Sequence, residues 1–166
     1  YPAAFMAALM TSDYDDTDRL AIEISECKTM GLTVLSPDIN QSFAEFATVP
    51  GTNQVRFGLS AIKNVGVGAV ETLVKERTEN GEFKSLEDFL KRVSTRTVNR
   101  KVWESLIKAG AFDRFGDRSD LLFTLDDMLA FGSRYQKDTA SGQIDLFGSL
   151  GEDVVIETSH LVLKRS

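Results

Sequence analysis

The stretch "LSAIKNVGVGAVETLVKER", residues 59 to 77, constrains this chain more than any other. Its apolar start, Leu59 to Asn64, reads as a short helix that breaks at Val65-Gly66-Val67-Gly68. Val70, Leu73 and Val74 then mark the apolar stripe of a second helix. Two glycines spaced in this way permit a tight turn and let backbone come very close to a ligand, because neither carries a Cβ. The second helix aims its unpaired N–H groups out of that turn, where they and the helix dipole favour a phosphate. Lys63, Lys75 and Arg77 add long-range attraction for negative charge. A dinucleotide fingerprint fits poorly, since the third glycine and a preceding βαβ unit are missing. A simple packed turn between two helices stays open as the alternative.

A second stretch, "VNRKVWESLIKAGAFDRFG", repeats the plan. Val98, Val102 and Leu106 form one stripe of a helix, with Trp103 and Ile107 alongside, and the helix runs into Lys108-Ala109-Gly110-Ala111. The second glycine is absent here, so close approach of a phosphate is less secure. The first stretch resembles the helix-hairpin-helix, whose hydrophobic-x-Gly-x-Gly turn grips DNA backbone without reading sequence. That resemblance implies contacts from Lys63, Asn64, Val65, Gly66, Val67 and Gly68. In the second unit it implies contacts from Lys108, Ala109, Gly110 and Ala111. Two such units would meet two stretches of backbone across a minor groove. Contacts to phosphate position a protein on the duplex but carry no sequence information.

Net charge is −6, which by itself argues against a nucleic-acid partner. Its distribution argues the other way. Residues 56 to 118 hold 13 Lys and Arg against 9 Asp and Glu, whereas the remainder holds 6 against 16. A basic middle between acidic flanks suits phosphate contact by the middle alone, and equally suits an ordinary solvated surface. The single cysteine, Cys27, rules out an internal disulfide and fits a cytoplasmic setting. No apolar run reaches the ~18 residues a membrane span needs. The opening Tyr1-Pro2, without Met or a hydrophobic leader, reads as a piece of a longer protein.

The rest of the chain reads as mainly α. "AAFMAALM" behind Pro2 is a helix, and "DYDDTDRLAIEISECKTMG" is another, with Leu20, Ile24 and Cys27 on one stripe and Gly31 as its stop. "LTVLSPDINQS" holds prolyl and turn signals and reads as extended, and "FAEF" and "QVRFGL" flank "TVPGTN" as a short β-hairpin. Ser85 and Asp88 resemble a capping box opening "SLEDFLKRV". "DRSDLLFTLDDMLAFGSRYQ" is a last amphipathic helix, followed by Thr, Ser, Gly and Asp. Residues 138 to 166 read as a flexible tail, and "VVIETSHLVLKRS" has some strand character without an evident place.

Catalytic constellations are scarce. Asp13, Asp15, Asp16 and Asp18 lack the glycine and bidentate Glu of a calcium loop, and suit the positive end of a helix dipole. Cys27 lies on an apolar stripe and reads as core. His160 is the only histidine, which argues against a Ser-His-Asp triad or a His metal cluster.

Five blocks in order, "YPAAFMAALMTS", "ISECKTMGLTVLSPDINQS", "RFGLSAIKNVGVGAVETLVKER", "FKSLEDFLKRV" and "VNRKVWESLIKAGAFD", resemble the α subunit of bacterial DNA polymerase III, the C-family replicative polymerase. The resemblance covers about residues 1 to 150. It implies that residues 1 to 54 are the end of a fingers domain and 55 to 137 a tandem helix-hairpin-helix domain. Residues 138 to 166 would be a tail with a clamp-binding motif. The palm carboxylates that hold Mg2+ would lie upstream, so no cofactor is expected in this segment, and the segment alone is expected to be inactive. Gln143, Ile144, Asp145, Leu146 and Phe147 match the family's internal motif for the sliding clamp at all five positions. Leu146 and Phe147 would be apolar anchors and Gln143 a polar rim contact. Duplex DNA, the clamp and other holoenzyme subunits are the implied partners, and no membrane. The alternative is a tandem helix-hairpin-helix module of a repair nuclease or ligase.

Overall fold

The computed structural model describes residues 1 to 140 and 161 to 166. The expected clamp motif, Gln143 to Phe147, and His160 lie outside the described residues. Among the described residues there are six α-helices and a small sheet. Helix α1, Pro2–Ser12, starts with proline at its first turn, where the missing N–H costs nothing. Helix α2, Thr17–Thr29, is capped by Asp16, whose carboxylate accepts from the Arg19 N–H at 3.0 Å, so this acid does serve a helix start. Cys27 is fully buried.

Strand β1, Thr33–Leu35, pairs in parallel with β3, Gln54–Arg56, and β2, Ala47–Thr48, pairs antiparallel with the same β3. The expected hairpin is therefore present, shifted past "FAEF", and a third strand from "LTVL" joins its other edge. The order β1-β3-β2 leaves residues 36 to 46 as the connection. In it, Gln41 and Ser42 donate to the Asp38 carbonyl, so "SPDIN" is a turn and not extended chain.

Helix α3 is Val67–Asn80, α4 Leu86–Arg92, α5 Arg100–Ala109 and α6 Arg118–Ala140. The Ser85 hydroxyl accepts from the Asp88 N–H at 3.0 Å, and Asp88 in turn accepts from the Lys84 N–H, close to the expected capping box. Two apolar cores result. One lies between α1, α2 and the sheet and contains Met6, Met10, Leu20, Cys27, Phe46 and Val55. The other is built by α3 to α6 around an aromatic group. There Trp103 stacks on Phe112 at 4.5 Å, and Phe89 meets both rings edge-on at 5.1 Å.

The two cores are not separated at residue 54. Ile39, from the connection, is buried in the α3–α6 core, and Phe57 packs against both cores. The expected boundary at 54/55 runs through β3.

The segment at 161 to 166, expected as part of a flexible tail, lies on α4 and α6. Leu161 and Leu163 pack against the larger core. The Lys164 N–H donates to the Thr124 hydroxyl at 2.9 Å, the Ser166 N–H to the Asp120 carboxylate at 2.8 Å, and the Lys164 ammonium pairs with Asp127 at 2.6 Å. Within the stretch read as having some strand character, Leu161 and Leu163 face the core while Val162 and Lys164 face solvent, with no partner strand among the described residues. Residues 138 to 140, placed in the tail by composition, are the last turn of α6.

Candidate nucleic-acid interface

The first hairpin is built differently from its sequence reading. The expected helix from Leu59 to Asn64 is only a single 3-10 turn, Leu59–Ala61. Gly58 and Ile62, on either side of it, are both extended, so no longer helix forms there. The chain then reverses at Asn64, whose φ of 71° is the sole positive value at a non-glycine residue among the described residues. Asparagine tolerates that region better than most side chains, because its amide bonds locally. Its Nδ2 donates to the Ser105 hydroxyl on α5, at 3.4 Å.

Gly66 and Gly68 are therefore not needed for the turn. Gly66 caps α3 with an ordinary extended conformation, φ −75° and ψ 161°, and no side chain caps the helix. A Cβ added at either glycine would meet nothing within 4 Å. What the glycines supply is open space over the start of α3. The N–H groups of Gly66, Val67 and Gly68 have no acceptor among the described residues. Val67 stands at the tip, 61% exposed. Val65, by contrast, is buried and holds the hairpin on the core, as does Ala69. Lys63 is exposed beside the turn.

The second hairpin has the opposite character. Helix α5 ends at Gly110 with φ 95°, a conformation that favours glycine, and the Gly110 and Ala111 N–H groups close back on Ile107 and Leu106. Ala111 is buried, and its carbonyl accepts from the Ile39 N–H at 2.9 Å. The space over Gly110 is taken by the Arg118 guanidinium, which a Cβ on this residue would strike. Arg118 is held there by Asp113, with which it pairs at 2.8 Å, and it also donates to the Lys108 carbonyl at 3.2 Å. Asp117 accepts from the Ser119 N–H, capping the start of α6 with a carboxylate where an anion would otherwise sit. Leu163 covers Gly116. Of the four residues expected here, Ala111 is in the core, Gly110 is covered and Ala109 is half-buried; Lys108 is exposed.

Two arginines are taken up by contacts within the fold. Arg77, read as an attractor of phosphate, is buried, and its guanidinium donates to the carbonyls of Ile39 at 2.9 Å and Ser42 at 2.7 Å. Burial, the main influence, lowers its pKa. Arg92 is bound to Glu76 at 2.9 Å and Asp88 at 3.0 Å, and lies 4.4 Å over the Phe83 ring. Both are structural. Lys101 is a residue that sequence reasoning missed. It lies four positions before Ser105, as Lys108 lies three after, and so shares the face of α5 that Asn64 reaches. Helical spacing on α5 carried that signal, but the link to Asn64 was not visible.

Among the described residues, no three His, Cys, Asp or Glu side chains are grouped as a metal site, and no helix is long and apolar enough to cross a membrane.

Residues 31 to 121 match the helix-hairpin-helix motif family. The chain belongs to the helix-hairpin-helix family. The match starts upstream of β1, so the sheet and the "SPDIN" turn travel with the helices. Over 161 residues, 97% of the chain, it is 42% identical to the DNA polymerase III subunit alpha of Thermus aquaticus. The same subunit of Vibrio cholerae is 44% identical over 90% of the chain, and that of Escherichia coli K12 42% identical over 92%. The resemblance drawn from the five sequence blocks is thus borne out. The chain spans only 13% of the length of each of these relatives. The helix-hairpin-helix assignment and the mainly α fold agree with one another.

Proposed function

We propose that this chain is the backbone-gripping segment of a replicative DNA polymerase and holds duplex DNA through its first hairpin. The observation that carries this reading is the open, uncapped start of α3, where Gly66 and Gly68 leave room for a phosphate and three N–H groups await an acceptor. Similarity to DNA polymerase III subunit alpha over nearly the whole chain supports it. Binding is sequence-independent and sensitive to salt, because backbone phosphates are the ligands.

Fluorescence anisotropy with a labelled duplex tests the reading, comparing wild type with Gly66→Glu and Gly68→Glu. A carboxylate in the open space should abolish binding at low salt while the chain stays folded. Equal binding by wild type and both variants would refute it.

Further parts of the proposal concern the longer protein. Gln143, Ile144, Asp145, Leu146 and Phe147 dock on the sliding clamp, and the other holoenzyme subunits assemble around that complex. Support comes from the five-position motif match and from its place after the hairpins. Clamp titration with Leu146→Ala plus Phe147→Ala should lose affinity. Nucleotide incorporation, with its Mg2+, belongs to other parts of the polymerase, and primer extension by this chain alone should be nil.

A further inference from the structure

Two hairpins of similar plan suggest two equal grips on DNA, but their surfaces differ. At the first, nothing stands within 4 Å of the space above Gly66 and Gly68. At the second, Arg118 fills the space above Gly110 and Leu163 that above Gly116. Arg118 is engaged with Asp113, and Arg114 with Asp38 at 3.1 Å, so the two arginines of this turn already face carboxylates. The second turn is closed by Arg118 and by Leu163 from the C-terminal segment.

Basic residues free of such partners lie elsewhere. Lys101 and Lys108 are exposed on α5 and have no ion-pair partner among the described residues. They flank Ser105 on one helical face, a turn to either side. Ser105 accepts from the Asn64 side chain at the turn of the first hairpin, and Lys63 precedes that residue. The neighbouring acid Glu104 is held by Arg100 at 3.1 Å, which leaves the lysines less neutralised. Helix α5 and the first hairpin thus present one continuous polar, basic surface.

We propose that the DNA backbone leaves the first hairpin across α5, with Lys101 and Lys108 taking successive phosphates beside Ser105, while the second hairpin is a strut that contacts no DNA. The inference rests on duplex binding by the first hairpin. It assigns Lys108 to the first grip and adds Lys101 to it.

The slope of log affinity against log salt for duplex DNA tests this in the 166-residue chain. Each phosphate contact contributes about 0.9 to that slope. Lys101→Gln plus Lys108→Gln should flatten it by about 2 and weaken low-salt binding, with thermal unfolding unchanged. Lys101→Arg should restore about half of the lost slope when added to Lys108→Gln. Arg114→Gln, in the second turn, should leave the slope as in wild type. An unchanged slope in the double lysine variant, or a flattened one in Arg114→Gln, would overturn the proposal while leaving first-hairpin binding intact. If Gly66→Glu bound duplex as wild type does, the underlying reading would fall instead.

Discussion

Asn40 and Phe83 stand 43 residues apart and exchange two hydrogen bonds of 2.8 Å: the Asn40 amide donates to the Phe83 carbonyl and accepts from the Phe83 N–H. Both residues are buried. One side chain thus completes the backbone bonding of the segment between α3 and α4. Asn40→Ala leaves a buried N–H and a buried carbonyl without partners, at about 1–3 kcal/mol each. Urea unfolding should show a loss of about 2–6 kcal/mol. Asn40→Asp keeps the acceptor but sets a carboxylate against the Phe83 carbonyl, so its loss should shrink as pH falls and the acid gains a proton to donate.

Glycine should behave in opposite ways at the two hairpins. At Gly68, on the first turn of α3, alanine meets no neighbour and lowers the entropy of the unfolded chain. Gly68→Ala should stabilise the fold by about 0.5 kcal/mol while weakening duplex binding several-fold. Gly110→Ala must adopt φ 95° and displace Arg118. Thermal unfolding should register a cost of about 1–2 kcal/mol or more.

Arg92 ties α3 to α4. Besides Glu76 and Asp88, it donates to the carbonyls of Gly81 at 2.6 Å and Glu82 at 3.1 Å. A lysine offers one point charge in place of this planar fork and cannot reach all four partners. Arg92→Lys should therefore destabilise by about 1–3 kcal/mol in urea unfolding. Little or no loss would show that the fork geometry is dispensable.

Glu23, on α2, is buried, and its Oε2 has no hydrogen-bond partner among the described residues. Burial, followed by a hydrogen bond and repulsion from Asp13, pushes its pKa up to about 7. An acid whose folded pKa is raised binds more protons folded than unfolded, so stability falls as pH rises. The loss should run from about pH 4.5 to about 7 and then level off. Melting temperature across that window should fall in wild type and stay flatter in Glu23→Gln.

Helix positions were legible wherever local chemistry decided them. Pro2, Asp16, Ser85 and Gly110 start or stop helices for reasons confined to a few neighbouring residues. The first hairpin was legible as an open turn, since two glycines and a following helix are local facts. What escaped the sequence depends on contacts across long separations. Arg77 looked like an exposed cation, and only the fold brings it to the carbonyls of Ile39 and Ser42. The helix before Asn64 shrank to one 3-10 turn because Gly58 and Ile62 are held extended on either side of it. Thr33–Leu35 was legible as extended chain, but its parallel pairing was hidden for the same reason, as nothing local shows that β3 lies beside it.

Ile39 and Asn40 enter the larger core from a turn well upstream of the hairpins, and β1 pairs with the strand that leads into them. The smallest unit that could be transplanted as a working grip is therefore not the hairpin with its two flanking helices. A graft would have to begin near Leu32 and carry the whole sheet, or the recipient scaffold would receive α3 with an uncovered base and an arginine without acceptors. Modularity in this fold is set by where the side chains land, well before the first residue that meets a ligand.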